Sequence, residues 1–144
     1  MVTTQQSAAV VRHLFEEGLN QRNTAVFDEV LAPNYVNYDF PAPTPGPEGF
    51  KQVMAMFFHA FPDIHEVSED VISEGDKVAV RGRFTGTHGG EFMGIPATGK
   101  QVRVSYIGMY PVENGQIVEN WVQMDLLGMM QQLGVAPRPE QAGG

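Results

Sequence analysis

Apolar residues recur at helical spacing from Gln5 to Asn20, where Val11, Leu14, Phe15, Gly18 and Leu19 share one side and Arg12, Glu16 and Glu17 the other. That pattern predicts a first helix packed on a core. Asn23 or Thr24 stands where an N-cap would, ahead of Val26, Phe27, Val30 and Leu31, and Pro33 is expected to end this second, short helix. Tyr35-Val36-Asn37-Tyr38 reads as a short strand. Four prolines and a glycine crowd the stretch from Phe40 to Pro47, which is too rigid for a regular element and is expected to loop over one end of the domain. Pro47 and Glu48 then open a third helix, with Phe50, Val53, Met54, Phe57, Phe58 and Phe61 on its apolar side and Pro62 as its stop.

From Ile64 the texture turns to β-branched residues and glycine. Strands are predicted from Ile64 to Ser73, Lys77 to His88, Gln101 to Val112 and Gln116 to Asp125, with turns at Glu74-Gly75-Asp76 and Asn114-Gly115. Helices followed by an antiparallel meander predict an α+β domain with its helices on one face of the sheet. The Pro- and Gly-rich tail from Ala136 to Gly144 is expected to fray, leaving an ordered core over about residues 5–135 of one domain spanning 1–144.

Composition narrows the function. The formal net charge is −8 and the nine Lys and Arg are scattered, which argues against nucleic acid and anionic membrane surfaces as partners. Polar Met1 to Gln6 leads straight into the first helix and no apolar run approaches the ~20 residues that span a bilayer, so a cytoplasmic location is expected. The chain has no cysteine, hence no disulfide and no thiolate nucleophile or ligand. Its four histidines, 13, 59, 65 and 88, lack ligand spacing, and no metal site is expected. Gly89-Gly90 lacks the Lys-Ser/Thr and helix that would complete a phosphate loop.

The run from Gly86-Thr87-His88 to Gly94-Ile95-Pro96-Ala97-Thr98-Gly99-Lys100 resembles the GTHxGxFxGIPPTGK loop of the SnoaL-like polyketide cyclase and ester cyclase family, with Ala97 where proline is usual. Asn114-Gly115-Gln116-Ile117-Val118-Glu119, Trp121, Asp125 and Gln132-Leu133-Gly134 resemble the same family's closing pattern, and Tyr35-Val36-Asn37 and Phe61-Pro62-Asp63 fit it as well. The resemblance covers roughly residues 7–134. It implies the nuclear transport factor 2-like fold, a cone-shaped α+β roll whose curved antiparallel sheet and N-terminal helices enclose a pocket. It also implies lyase- or isomerase-type chemistry without a metal or organic cofactor: an aldol ring closure in which the residue matching Asp125 is general acid and base.

Counting by twos places Ile117, Glu119, Trp121, Gln123 and Asp125 on one face of the last strand, and that mixed face suits a pocket wall, a solvent face or a subunit interface. The resemblance makes Asp125 the candidate catalytic residue, needing desolvation to act as a base near neutrality, while its place before Leu126 also suits a helix N-cap. A two-residue hairpin sets Val104 opposite Asp125, and a bulged three-residue loop sets Arg103 there. Candidate substrate-binding residues are Trp121, Gln123, Tyr38, Met109, Phe58 and Arg103. Position 111, a histidine or arginine in relatives, is Pro111 here, which removes a polar partner. Met54, Met93, Met109, Met124 and Met129 are candidates to line an adaptable cavity or fill the core.

Two other readings stay open: a noncatalytic module holding a small hydrophobic molecule, and an epoxide hydrolase built on Arg81, Arg103 and Asp125. The expected partner is a small hydrophobic carbonyl compound, and the superfamily resemblance implies a sheet-mediated homodimer.

Overall fold

A computed structural model gives the fold and describes residues 4–40, 42 and 44–136. Helix α1 (Thr4–His13) runs on into a π-helical segment (Leu14–Leu19), so the single helix expected from the spacing has a widened second half. That widening turns Leu14, Phe15, Gly18 and Leu19 inward together. Gly18 is needed there because a side chain would strike the Phe27 ring. Helix α2 (Ala25–Val30) follows, and strand β1 (Leu31–Asn37) starts earlier than expected. Pro33 does not merely stop a helix; it sits in β1, an edge strand, where a missing N–H is tolerated.

Helix α3 (Gly46–Ala60) has Pro47 in its first turn and buries Phe50, Met54 and Phe57. Strands β2 (His65–Glu74), β3 (Lys77–Thr87), β4 (Gln101–Glu113) and β5 (Gln116–Met124) then form the expected antiparallel meander, and α4 (Leu126–Leu133) closes the described fold. The sheet order is β1-β5-β4-β3-β2, with β1 parallel to β5. The tail beyond Ala136 lies outside the described residues.

Strict alternation along β4 buries Val102, Val104, Tyr106, Gly108, Tyr110 and Val112 under the helices and turns their neighbours outward. Aromatic rings fill the space between sheet and α3: Phe57 packs on Phe84 and Phe92, and Phe61 on Phe84, Phe92 and His88. The glycine-rich loop after β3 is held from inside. His88 is fully buried, and its Nδ1 accepts the Thr98 backbone N–H at 3.2 Å.

The last hairpin corrects both expected registers. Val112 pairs with Ile117, but Met109 pairs with Trp121 and Tyr106 with Met124, so a bulge in β5 adds one residue between them. Ser105, neither Val104 nor Arg103, lies opposite Asp125 and accepts its backbone N–H at 3.0 Å. The bulge also reverses the face. Ile117 is inward, yet beyond the bulge Asn120, Val122 and Met124 point in and Trp121, Gln123 and Asp125 point out.

Candidate active site

Between the helices and the inner sheet face lies a cavity of about 90 Å³, whose walls include Phe15, Leu19, Met54, Phe57, Phe84 and Val122. Its polar groups are few: Glu66 from β2, Tyr106 and Tyr110 from β4, and Asn37 at the end of β1. Phe40, Val53, Val122 and Met124 separate it from a larger outer cleft of about 480 Å³, where Asp39, Gln52 and Gln123 supply polar atoms. Phe40, braced edge-on against Phe57 at 5.5 Å, stands at the junction.

Glu66 is the carboxyl group of the inner cavity and is only 4% exposed. The chain holds it by its backbone: the Asn20 amide donates to the Glu66 carbonyl and accepts the Glu66 N–H, both at 2.8 Å. Its side chain accepts a hydrogen bond from the Tyr106 hydroxyl and another from the Ser68 hydroxyl at 2.9 Å. Burial pushes the Glu66 carboxyl above the usual carboxylate range; the Tyr106 and Ser68 donors pull it partly back, and Glu16 adds an upward push. Tyr106 and Tyr110 are held as phenols far above the ordinary tyrosine value, chiefly by burial. Tyr110 lines the same cavity as Tyr106 and Glu66, with its ring edge-on to Phe15 at 5.8 Å.

A carboxyl so placed holds its proton to higher pH than an exposed glutamate and can release it and take it back, beside a phenol that donates to it. Sequence inspection passed over Glu66. The signal was present: two residues after buried Ile64, it occupies a core-facing strand position where an acid is costly unless used or paired.

The residues singled out in the sequence are placed elsewhere. Asp125 is exposed, caps α4 by accepting the Gly128 N–H at 2.9 Å, and does not line the inner cavity. Gly128 gives that cap room, since a side chain there would strike the Asp125 carboxylate. Trp121 stacks on Tyr38 at 4.2 Å on the outer sheet face, with exposed Met109 paired beside it in β4. Phe58 lies half-buried under the Arg22 guanidinium, 4.4 Å from the ring centre. Gln132 brackets the Arg103 backbone, accepting its N–H at 2.7 Å and donating to its carbonyl at 2.9 Å. Gln123 lines the outer cleft, where its amide donates to Asp39 at 3.3 Å, and Arg103 lines a separate cleft of about 400 Å³ beside Asp63 and Thr87.

Pro111 is in β4 opposite Lys77, out of phase with the inward residues, so its neighbour Tyr110 supplies the cavity group there. Met54 and Met124 line the inner cavity, Met93 and Met124 the outer cleft, and Met129 is core. Arg81 pairs with Asp70 at 2.7 Å on the outer face, and neither it nor Arg103 lines a cavity with Asp125. Among the described residues no cluster of three or more His, Asp or Glu could hold a metal, and no helix is long and apolar enough to cross a membrane.

A curved, unclosed sheet wrapped over helices around one buried carboxyl defines a nuclear transport factor 2-like protein with a small-molecule cavity. The SnoaL-like polyketide cyclase model matches residues 9–133, and the chain belongs to that family. TsrD from Streptomyces laurentii is similar at 29% identity and a TM-score of 0.85, with 94% of this chain and 99% of that chain covered. A candidate SnoaL-like polyketide cyclase from Jannaschia sp. CCS1 is 31% identical, with a TM-score of 0.83 and coverage of 94% and 96%. IdmH, a candidate polyketide cyclase from Streptomyces antibioticus, is 33% identical with a TM-score of 0.77 and coverage of 90% and 99%. No curated protein matches the chain.

Proposed function

We propose that this protein is a cofactor-independent enzyme that moves a proton on an apolar carbonyl compound, with Glu66 as general acid and base and Tyr106 as its fixed donor. The observation that carries this reading is a buried carboxyl, raised by desolvation and hydrogen-bonded to a phenol, in an otherwise apolar cavity. As carboxylate, Glu66 takes a proton from the carbon beside a carbonyl, and the electrons move onto the carbonyl oxygen. For a cyclase reaction, that enolate carbon bonds to a second carbonyl carbon of the same molecule, and the alkoxide formed takes the proton back from Glu66. The Tyr106 hydroxyl stands beside the transferred proton and favours charge on oxygen.

Deuterium exchange at the α-carbon of 2-pentanone in D₂O, followed by proton NMR, tests the step without the natural substrate. Wild type should accelerate exchange, and Glu66→Gln should lose about 100-fold or more of that acceleration. Binding of the ketone with no accelerated exchange would favour the noncatalytic binding module instead.

The outer sheet face supports a homodimer. Ile72, Ala79, Met109 and Trp121 are successive register partners across four strands, and Tyr38 stacks on Trp121, giving an exposed, mostly apolar row on a charged protein. Light scattering should give twice 15.8 kDa for the chain and a smaller mass for Trp121→Asp; a wild-type monomer at high concentration would exclude the dimer.

A further inference from the structure

Two glycines interrupt the inner sheet face at the point where its polar groups meet. Gly82 lies between Val80 and Phe84 on β3, and Gly108 between Tyr106 and Tyr110 on β4. Neither has a positive φ, so the backbone does not demand glycine at either place. Space does. A Cβ on Gly82 would stand 2.9 Å from Glu66 Oε2, 2.9 Å from Tyr106 Cε1 and 2.8 Å from the Val67 carbonyl oxygen. A Cβ on Gly108 would stand 2.6 Å from the Tyr110 hydroxyl and 2.7 Å from its ring.

The register explains both. Gly82 pairs with Tyr106 on one side and Ser68 on the other, so the Tyr106–Glu66 hydrogen bond, which joins β4 to β2, passes directly over it. Any side chain at 82 would fill that crossing. On β4 the Tyr110 phenol folds back along its own strand over Gly108 toward Tyr106, a path open only above a residue without a side chain.

We infer that Gly82 and Gly108 are positioning residues that seat a three-membered array, Glu66–Tyr106–Tyr110, and that Tyr110 sets the proton affinity of Glu66 through Tyr106. The inference rests on the acid–base reading of Glu66. Turned toward the Tyr106 oxygen, the Tyr110 hydroxyl proton would make Tyr106 a stronger donor to the Glu66 carboxylate and so favour the ionised form of Glu66. The other titratable groups facing the array are Glu16 from the π-helical segment, Tyr35 from β1 and Asp39 from the loop after β1.

The test is a carbon-13 NMR titration of the Glu66 carboxyl, assigned by its loss in Glu66→Gln, in wild type, Tyr110→Phe, Gly108→Ala and the double variant. Tyr110→Phe keeps the ring and both glycines, so it remains informative if Gly108→Ala does not fold. The Glu66 midpoint should rise by roughly half a pH unit or more in Tyr110→Phe. Gly108→Ala should move it the same way, and the double variant should move no further than Tyr110→Phe alone. A midpoint unchanged in Tyr110→Phe, or moved additively in the double variant, would overturn the inference and leave the glycines as packing residues. The titration needs no substrate. Shifted midpoints in a protein that never accelerates ketone exchange would sustain the positioning array and remove only the catalytic reading of Glu66.

Discussion

Asp125 offers a clean separation between a structural and a chemical role, because two substitutions there divide the two. Its carboxylate accepts the Gly128 N–H at the start of α4, and that helix buries Met129 and Leu133. Asn caps a helix about as well as Asp, whereas Ala leaves the first-turn N–H to water, at a cost of about 1 kcal/mol. The site is exposed, so water offsets part of the loss and the lower half of the range, about 0.5–1 kcal/mol, applies. For a domain of this size that is a fall in Tm of roughly 2–4 °C. Asp125→Ala should therefore melt a few degrees lower and Asp125→Asn within about 1 °C of wild type. Both should exchange the α-protons of 2-pentanone at close to the wild-type rate. A properly folded Asp125→Asn that loses exchange about 100-fold would refute the argument and return the acid–base role to Asp125.

Glu66 should also appear in the pH dependence of stability. Its carboxyl is raised in the fold, so the stabilisation of its protonated form is fully present below the unfolded glutamate value and is lost as pH rises through the folded value. Urea unfolding should accordingly show wild type losing stability relative to Glu66→Gln across that interval, and a flat difference would contradict the assigned burial. Removing the Asn20 amide by Asn20→Ala frees both backbone groups of Glu66 at once, and should cost about 1–3 kcal/mol in urea unfolding along with most of the ketone exchange. The inner cavity, about 90 Å³, is set apart from the outer cleft of about 480 Å³ by Phe40. Phe40→Ala should join it to the outer cleft and admit acetophenone, seen as new NMR contacts to the Met54 methyl group; equal contacts in wild type would show that Phe40 sets no size limit.

Element order, the α+β class and the family were legible because they rest on periodicity and motif. Helices and meander follow from the spacing of Val11 to Leu19, Phe50 to Phe61 and the β-branched stretches after Ile64. The faces of the last strand were not, because one bulged residue before Trp121 reverses inward and outward for every residue after it. Trp121, Gln123 and Asp125 thus lie outside, while Val122 and Met124 line the cavity. Pro111 mattered less than its sequence position suggested, since strand parity gives the inward place to Tyr110. Glu66 was readable in principle from its parity with Ile64. Its partner Tyr106 was not, because a hydrogen bond reaching across β3 depends on Gly82 and on a register that no local pattern specifies.

The most direct measurement is the pH–rate profile of α-proton exchange in 2-pentanone for wild type, Glu66→Gln and Asp125→Asn. An inflection is expected above the ordinary carboxylate range, matching the Glu66 NMR midpoint, kept in Asp125→Asn and absent from Glu66→Gln. An inflection that survives in Glu66→Gln, or disappears in Asp125→Asn instead, would contradict it.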